Sequence, residues 1–257
     1  MGRANRLTVR GGIFHVTHRC HNRSFLLKFA RDREAYRTKL REGLNEYALS
    51  LFDYTVTSNH VHLLLEAERK SEVSAFMQKV AGEFARNYNR RKDRSNAFWG
   101  DNFHATLVED GRYLFECLLY VELNMVRCGV ARHPRDWPWG GYHEIMGSRQ
   151  RYRLLDLERL CWRLGTSSLE ELRRQIEFGI TERIAQGAIK RMEYWTRALG
   201  VGSQEFLEKS QGLIFTRLET KIVEQPDGMY VLQEAPEPCS QKRASKSAFK
   251  VDYRLKI

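Results

Sequence analysis

Two histidines separated by a single residue, His60 and His62, lie in the run TSNHVHLLLE. Because successive side chains of a β-strand point to opposite faces, both imidazoles lie on one face and can converge on one ion. Imidazole is a common ligand of transition metals, so the pair is a competent start for a metal site. The competing interpretation is that both histidines are ordinary surface or core residues of a hairpin.

Tyr120 and Asn124 lie four residues apart in a segment with helical periodicity, RYLFECLLYVELNMV. Residues at this spacing share one helical face and lie about one turn apart. The amide oxygen of Asn124 could supply a third, hard ligand and leave coordination positions open for a substrate phosphate beside Tyr120. The alternative is a packed aromatic residue whose hydroxyl makes one hydrogen bond.

The elements that position these residues follow the order strand, helix, strand, strand, helix, strand, helix. The predicted spans are 11–18, 32–49, 51–57, 61–66, 71–91, 103–108 and 112–126, with Gly129 as the terminator of the last helix. Only Ser58, Asn59 and His60 separate the second and third strands, which predicts an antiparallel hairpin. This order indicates an α+β fold with a ferredoxin-like (RRM-like) antiparallel sheet, helices on one face and one added helix.

The chain changes character after the Pro- and Trp-rich run HPRDWPWGGYHE. Residues 1–150 are predicted to form the domain that carries the chemistry. Residues 151–225 are predicted to be a helical accessory region, with breaks at Gly165, Gly179 and Gly200 to Gly202. Residues 226–257 are polar and contain proline, which predicts a flexible tail.

Composition favours nucleic acid as a partner. The chain has 43 basic and 32 acidic residues, for a net charge of +11, and such a field attracts polyanions. Its five cysteines are scattered and form no CxxC pair, which argues against a disulfide framework and fits a reducing cytosol. No signal peptide or membrane span is predicted, so we expect a cytoplasmic protein associated with the nucleoid.

Two basic clusters are candidates for DNA contact. The first is the end of the second helix, with Arg86, Arg90, Arg91, Lys92 and Arg94. Tyr88 and Trp99 lie close by in sequence and could stack on bases. The second is an N-terminal arm with Arg3, Arg6 and Arg10. The alternative for each residue is an exposed charge that only keeps the chain in solution.

Several other residues near these motifs could also take part. Tyr113 lies two turns before Tyr120 on the same face and is a competing nucleophile. Glu116 could be a carboxylate ligand, although a solvated glutamate is the simpler interpretation. The histidines of the first and fourth strands could contact DNA, supplement the metal site or face solvent; they are His15, His18, His21 and His104.

Three blocks of the chain, in order and with matching spacing over about residues 8–146, resemble the single-tyrosine HUH transposases, especially the REP-associated tyrosine transposases. The blocks are TSNHVHLLLE, FWGDNFHATLVEDGRYLFECLLYVELNMVRCGV and HPRDWPWGGY. The chain departs from the family at Thr57, Ser58, Met125 and Cys128, none of which removes a reacting group.

The resemblance implies a role for the two strand histidines and for the tyrosine and asparagine of the helix. It implies that His60 and His62 bind a divalent metal, that Tyr120 is the nucleophile and that Asn124 completes the metal site. It also implies a ferredoxin-like palm, a homodimer and a substrate of single-stranded DNA bearing a hairpin. The expected cofactor is Mg²⁺ or Mn²⁺. Imidazole ligands bind transition metals better than magnesium, so manganese is expected to work at least as well in vitro.

The expected reaction is a transfer between phosphodiesters. Attack by the Tyr120 oxygen would give a 5′-phosphotyrosine and a free 3′-hydroxyl, and the retained bond energy would allow rejoining without a nucleotide cofactor. One alternative is a domesticated, non-cleaving protein or regulator that binds hairpin DNA. A replication initiator or plasmid relaxase with the same histidine pair is a third interpretation, which the order and close spacing of the blocks disfavour.

Overall fold

The computed structural model describes residues 6–7, 11–187, 189–212, 214–215 and 219–235. The α-helices in these residues are α1 Ala30–Glu46, α2 Lys70–Lys92, α3 Arg112–Glu122, α4 Asn124–Arg127, α5 Tyr142–Ile145, α6 Leu157–Leu164, α7 Leu169–Ala185, α8 Tyr194–Arg197 and α9 Gln204–Gln211. The strands are β1 Arg6–Leu7, β2 Gly12–Arg19, β3 Leu49–Val56, β4 His60–Ala67, β5 His104–Val108, β6 Gly200–Gly202, β7 Ile214–Phe215, β8 Thr220–Glu224 and β9 Tyr230–Glu234. Within the same residues, no helix has the length and apolar character needed to span a membrane.

The main sheet confirms the predicted fold class. Its strand order is β3-β4-β2-β5-β6-β9-β8, and the first four strands pair antiparallel in the ferredoxin-like order. The predicted hairpin is the β3–β4 pair. In the register of β2 and β4, Thr17 is opposite His62 and Arg19 is opposite His60. Both histidines therefore lie at the end of a central strand.

The sheet is covered on both faces. Helices α1 and α2 pack on one face against residues such as Phe14 and Leu63. The added helix α3 packs on the other face, together with α6 and α7, against Ile13 and Leu64. Burial on both faces explains the unbroken apolar run at positions 63–65, which a strand exposed on one side would not have.

Helices α3 and α4 are joined almost without interruption. Leu123 lies between them, yet its N–H donates to the carbonyl of Leu119 at 3.0 Å and its own carbonyl accepts from Arg127 at 2.9 Å. Gly129, with φ of +69°, follows the end of α4 as the sequence predicted. The continuous turn keeps residues 120 and 124 one turn apart.

The accessory region is helical only in part. Helices α6 to α9 are present, and Gly165 ends α6 in the left-handed conformation as predicted. The predicted break at Gly179 is wrong, because α7 continues through it. A side chain there would meet Leu119 of α3, so the glycine permits close helix packing.

The C-terminal residues also add strands to the sheet, which corrects two further predictions. Strands β6 and β8 lie within 151–225, and β6 pairs parallel with β5. Strand β9 pairs with β6 and β8, so the predicted tail is wrong for residues 230–234. These strands were missed because each is short and gains its partners from distant parts of the chain. Residues 236–257 lie outside the described residues, and the division at residue 150 stays a prediction.

Candidate active site

His62 is the centre of a hydrogen-bonded chain on the α3 face of the sheet. Its side chain is buried, and its Nδ1 lies 2.8 Å from the Nε2 of His15. The Nδ1 of His15 lies 2.8 Å from the carbonyl of Trp195. On the other side, the Nε2 of His62 lies 2.9 Å from the side-chain nitrogen of Asn124. These hydrogen bonds therefore link β2, β4, α4 and α8.

The same hydrogen bonds determine which ring nitrogen of His62 carries the lone pair. A carbonyl only accepts, so the Nδ1–H of His15 donates to Trp195. The Nε2 of a neutral His15 is then an acceptor, and it takes the Nδ1–H of His62. The lone pair of His62 is consequently on Nε2, and it faces Asn124, as a metal ligand at this position requires.

His60 is oriented in the same way by the turn that precedes it. Its Nδ1 lies 2.7 Å from the Oδ1 of Asn59 and 2.9 Å from the hydroxyl oxygen of Thr57. The Thr57 hydroxyl itself donates to the carbonyl of His60, so it accepts from the ring. Nδ1 is therefore the donor of His60, and Nε2 carries its lone pair as well.

All three imidazoles are held neutral. Burial lowers the pKa of His60 to about 3, with Arg19 and Arg127 as further causes. Burial also lowers the pKa of His15 to about 4 and places the pKa of His62 well below its usual value. Neutral imidazoles are the form that binds a metal, so the histidines need no deprotonation at neutral pH.

Tyr120 lies beside these imidazoles. The centre of its ring is 6.1 Å from that of His62 and 6.0 Å from that of His15. The guanidinium carbon of Arg127 lies 4.2 Å from the same ring centre. Burial raises the pKa of Tyr120, whereas the charges of Arg127 and Arg191 lower it. The phenol is thus largely withdrawn from water, next to two cationic groups.

Asn124 supplies the observation that tests whether a metal fits. Its side-chain oxygen is buried and has no hydrogen-bond partner in the structure, which is uncommon for a buried amide. Rotation of the amide by half a turn would place this oxygen where the nitrogen now faces His62. No group of three or more His, Cys, Asp or Glu residues suited to a metal occurs among the described residues, so a site here needs the amide. The donor set of two imidazoles and one amide fits a divalent cation.

Residues 8–123 match the family model described as IS200-like transposase. The match covers less than half of the 257-residue chain. A Haemophilus influenzae protein, named as a candidate REP-associated tyrosine transposase, is 24% identical over 149 residues, which are 52% of this chain and 82% of that protein. The resemblance stated from the sequence is confirmed.

Two solved structures resemble parts of the chain. One, described as a REP-associated tyrosine transposase bound to a REP hairpin, is 16% identical, covers 61% of this chain and 94% of its own, and has a TM-score of 0.49. The other, a candidate transposase from Deinococcus radiodurans, is 19% identical, covers 41% of this chain and 82% of its own, and has a TM-score of 0.32.

Three arginines surround the candidate site, and sequence reasoning missed all three. Arg19 lies opposite His60 on β2, Arg127 covers the Tyr120 ring, and the charge of Arg191 lowers the pKa of both His60 and Tyr120. Arg127 is the last residue of the YVELNMVR block, so its place in that motif could have identified it as a site residue. Arg191 lies in the accessory region, where no motif pointed to it.

Several other candidates lie apart from the histidine pair. Glu116 forms a bidentate ion pair with Arg183 of α7 at 2.6 and 2.8 Å, which explains its place on the helix without a metal. His104 bonds the carbonyl of Ala198. His18 lies on the opposite face of β2 and stacks on Trp99. Of these residues, none contacts the proposed ligands.

The basic end of α2 lies in the other layer, near the end of the sheet where His60 begins β4. Arg90 is exposed, and so are its basic neighbours at 86, 91 and 92. Arg91 is also ion-paired with the buried Asp32 of α1, which gives it a structural role. Of the N-terminal arginines, Arg6 lies in β1, whereas Arg3 and Arg10 lie outside the described residues. DNA contact by either cluster stays a prediction.

Proposed function

We propose that this protein is a metal-dependent enzyme that cleaves and rejoins single-stranded DNA at hairpins, with Tyr120 as nucleophile. The observation that carries the proposal is the position of the Tyr120 ring, whose centre lies 6.1 Å from that of His62, next to the Asn124 amide that contacts His62 and has a buried oxygen without a partner. An aromatic residue that only packs in the core does not require neutral imidazoles and an unpartnered amide oxygen beside it.

His60, His62 and Asn124 would hold Mg²⁺ or Mn²⁺. A bound divalent cation supplies charge neutralisation at the scissile phosphate. Arg19 and Arg127 extend the positive potential around the same point and would orient the phosphate for in-line attack. The role of His15 is to keep the proton of His62 on Nδ1.

The reaction exchanges one phosphodiester for another. The oxygen of Tyr120 bonds to phosphorus, the bond from phosphorus to the 3′ oxygen breaks, and the products are a 5′-phosphotyrosine and a free 3′-hydroxyl. The phenol loses its proton to solvent, and the departing 3′ oxygen gains one. Because burial raises the pKa of Tyr120, the Arg127 guanidinium over its ring is needed to stabilise the phenolate.

Hairpin DNA is the substrate that the relatives suggest. The Haemophilus protein is named for REP elements, and one structural neighbour is described as bound to a REP hairpin. The net charge of +11 provides the attraction for phosphates. A homodimer and independence from nucleotide cofactors remain part of the proposal.

A covalent trapping experiment tests the function. Labelled hairpin DNA from inverted repeats beside the gene, incubated with the purified protein and Mn²⁺, is expected to give an adduct that survives denaturation. Tyr120→Phe is expected to lose the adduct, whereas Tyr113→Phe, the matched control two turns away, keeps it. An adduct that persists in Tyr120→Phe assigns the nucleophile elsewhere. Binding without any adduct in the wild type would instead support the non-cleaving hairpin-binding protein.

A further inference from the structure

A cleft of about 680 Å³ is bordered by Tyr120. We call it the Tyr120 cleft. Helix α3 and helix α7 form its walls, and the accessory segment from Ile189 to Trp195 forms its floor. Tyr120 lines this cleft and also lies beside His62, whereas none of the three proposed metal ligands lines the cleft. The volume is within the range of sites that hold a small organic ligand.

An exposed aromatic side chain lines this cleft. Phe178 of α7 is 69% exposed, although Leu172, Ile176 and Ile180 of the same helix are fully buried. Gly179, the next residue, lets α7 approach Leu119 of α3, which fixes Phe178 relative to Tyr120. A rigid helix thus holds an apolar ring in water near the proposed nucleophile. Such a ring is a stacking surface for a nucleobase.

The charges around the cleft favour a nucleotide over an uncharged ligand. Four basic and three acidic residues line it, namely Arg112, Arg127, Arg183, Lys190, Glu116, Glu182 and Asp227. Glu116 is paired with Arg183, and Asp227 accepts a hydrogen bond from Tyr194. The lining is therefore positive by one charge, and one of its unpaired cations, Arg127, lies on Tyr120 itself.

We propose that the Tyr120 cleft binds the first nucleotide on the 3′ side of the scissile phosphate and stacks its base on Phe178. This inference rests on the proposed function. In the 5′-phosphotyrosine product that nucleotide stays attached to the Tyr120 oxygen through one phosphate, so its base must lie within a nucleotide's length of a residue that lines the cleft. The accessory region would then contribute to substrate binding through α7.

The proposal is tested by measuring DNA binding after removal of the first base, of the Phe178 side chain, or of both. The probe is a 5′-phosphorylated deoxythymidine hexamer, which mimics the retained strand, and a second hexamer has an abasic first residue. Phe178→Ala is expected to weaken binding of the first hexamer about tenfold, the effect of losing one base stack. The abasic hexamer is expected to bind the wild type about as weakly, and Phe178→Ala should weaken it no further.

Matched controls make the result specific. Trp162→Ala removes another exposed aromatic ring, 63% exposed on α6 and outside the cleft, and should leave hexamer binding unchanged. A hexamer with an abasic residue at the fourth position keeps its first base, so Phe178→Ala should weaken its binding by the same factor of about ten. If the two losses are additive, or Phe178→Ala binds like the wild type, the base does not stack on Phe178 and the inference is wrong.

The failure of this inference is distinguishable from failure of the proposed function, because the hexamers are not cleaved. A Tyr120 adduct without coupling between Phe178 and the first base leaves the transposase function intact and overturns only the inference. Coupling without any adduct shows that the cleft binds a nucleotide while the cleavage proposal is wrong.

Discussion

The Nε2 of His15 lies 2.8 Å from the Nδ1 of His62, and the planes of the two rings are parallel to within 7°. Through His15 this contact reaches the carbonyl of Trp195, so the accessory region fixes the tautomer of a proposed ligand in the ferredoxin-like sheet. Hydrogen bonds of this kind orient metal-bound histidines and raise their basicity. The two parts of the chain are therefore coupled at the proposed metal site.

His15→Ala is expected to weaken binding of Mn²⁺ by about 10- to 100-fold, because the Nδ1–H of His62 loses its acceptor and the ring its fixed orientation. The measurement is titration calorimetry with Mn²⁺ in the absence of DNA. His15→Gln, whose amide oxygen can accept the same proton, is expected to recover part of the affinity. Melting temperatures of both variants separate a local change from loss of the fold.

His104→Ala is the matched control for this prediction. His104 also bonds a backbone carbonyl, that of Ala198, but it does not contact a proposed ligand. Its Mn²⁺ affinity should equal that of the wild type. Equal affinities in His15→Ala and the wild type would show that the hydrogen bond does not act on the metal site.

The residues proposed for catalysis could be found from the sequence because their spacing is local. A histidine pair at i and i+2 on a strand, and a tyrosine and asparagine at i and i+4 on a helix, share a face whatever the rest of the fold does. The structure brings both pairs together, with 6.1 Å between the ring centres of His62 and Tyr120. Their roles stay predictions, since geometry alone does not assign chemistry.

The partners from distant segments could not be found in this way. His15 bonds His62 only because β2 and β4 pair in a register that places Thr17 opposite His62, and nothing local specifies that register. The three C-terminal strands of the main sheet were missed for the same reason. Gly200 and Gly202 read as a helix break, whereas both belong to a strand whose partners are β5 and β9.

Arg90→Gln is expected to weaken DNA binding without changing the melting temperature. Its side chain is exposed and bonds only locally, to Asn87 at 3.2 Å. Loss of one phosphate contact should reduce the slope of the salt dependence by about 0.7, the value for single-stranded DNA. The measurement is fluorescence anisotropy with labelled oligo(dT) over a series of salt concentrations.

Arg91→Gln, one residue further on, is the comparison. It removes the ion-pair partner of Asp32, whose side chain is almost fully buried. We expect a loss of about 1–3 kcal/mol in the free energy of unfolding, because a buried carboxylate is left without its charge partner. Should Arg90→Gln leave the salt dependence unchanged, this end of α2 does not contact phosphates.

A pair of buried carboxyl groups lies between strand β3 and helix α3, the helix that carries Tyr120. Asp53 of β3 and Glu122 of α3 are within hydrogen-bonding reach of each other, and burial is the largest cause that raises the pKa of each. At least one of them therefore holds a proton at neutral pH in the folded protein. The unfolded chain releases that proton above the ordinary carboxyl pKa near 4.

Asp53→Asn is expected to stabilise the protein at high pH and to flatten its pH dependence. Because the folded-state pKa values are raised, the pair's contribution to stability is fully present below the ordinary carboxyl pKa and declines as pH rises toward the raised values. Asparagine keeps the oxygen that accepts from the Tyr54 N–H at 2.7 Å, and its amide can donate to Glu122 without titrating. At about pH 8 the variant should melt roughly 2–4 °C above the wild type, equivalent to about 1 kcal/mol, and at about pH 5 the difference should shrink. Asp101→Asn, at an exposed position, should show no such trend. A difference for Asp53→Asn that is the same at both pH values would mean that the two carboxyl groups do not share a proton in the folded state.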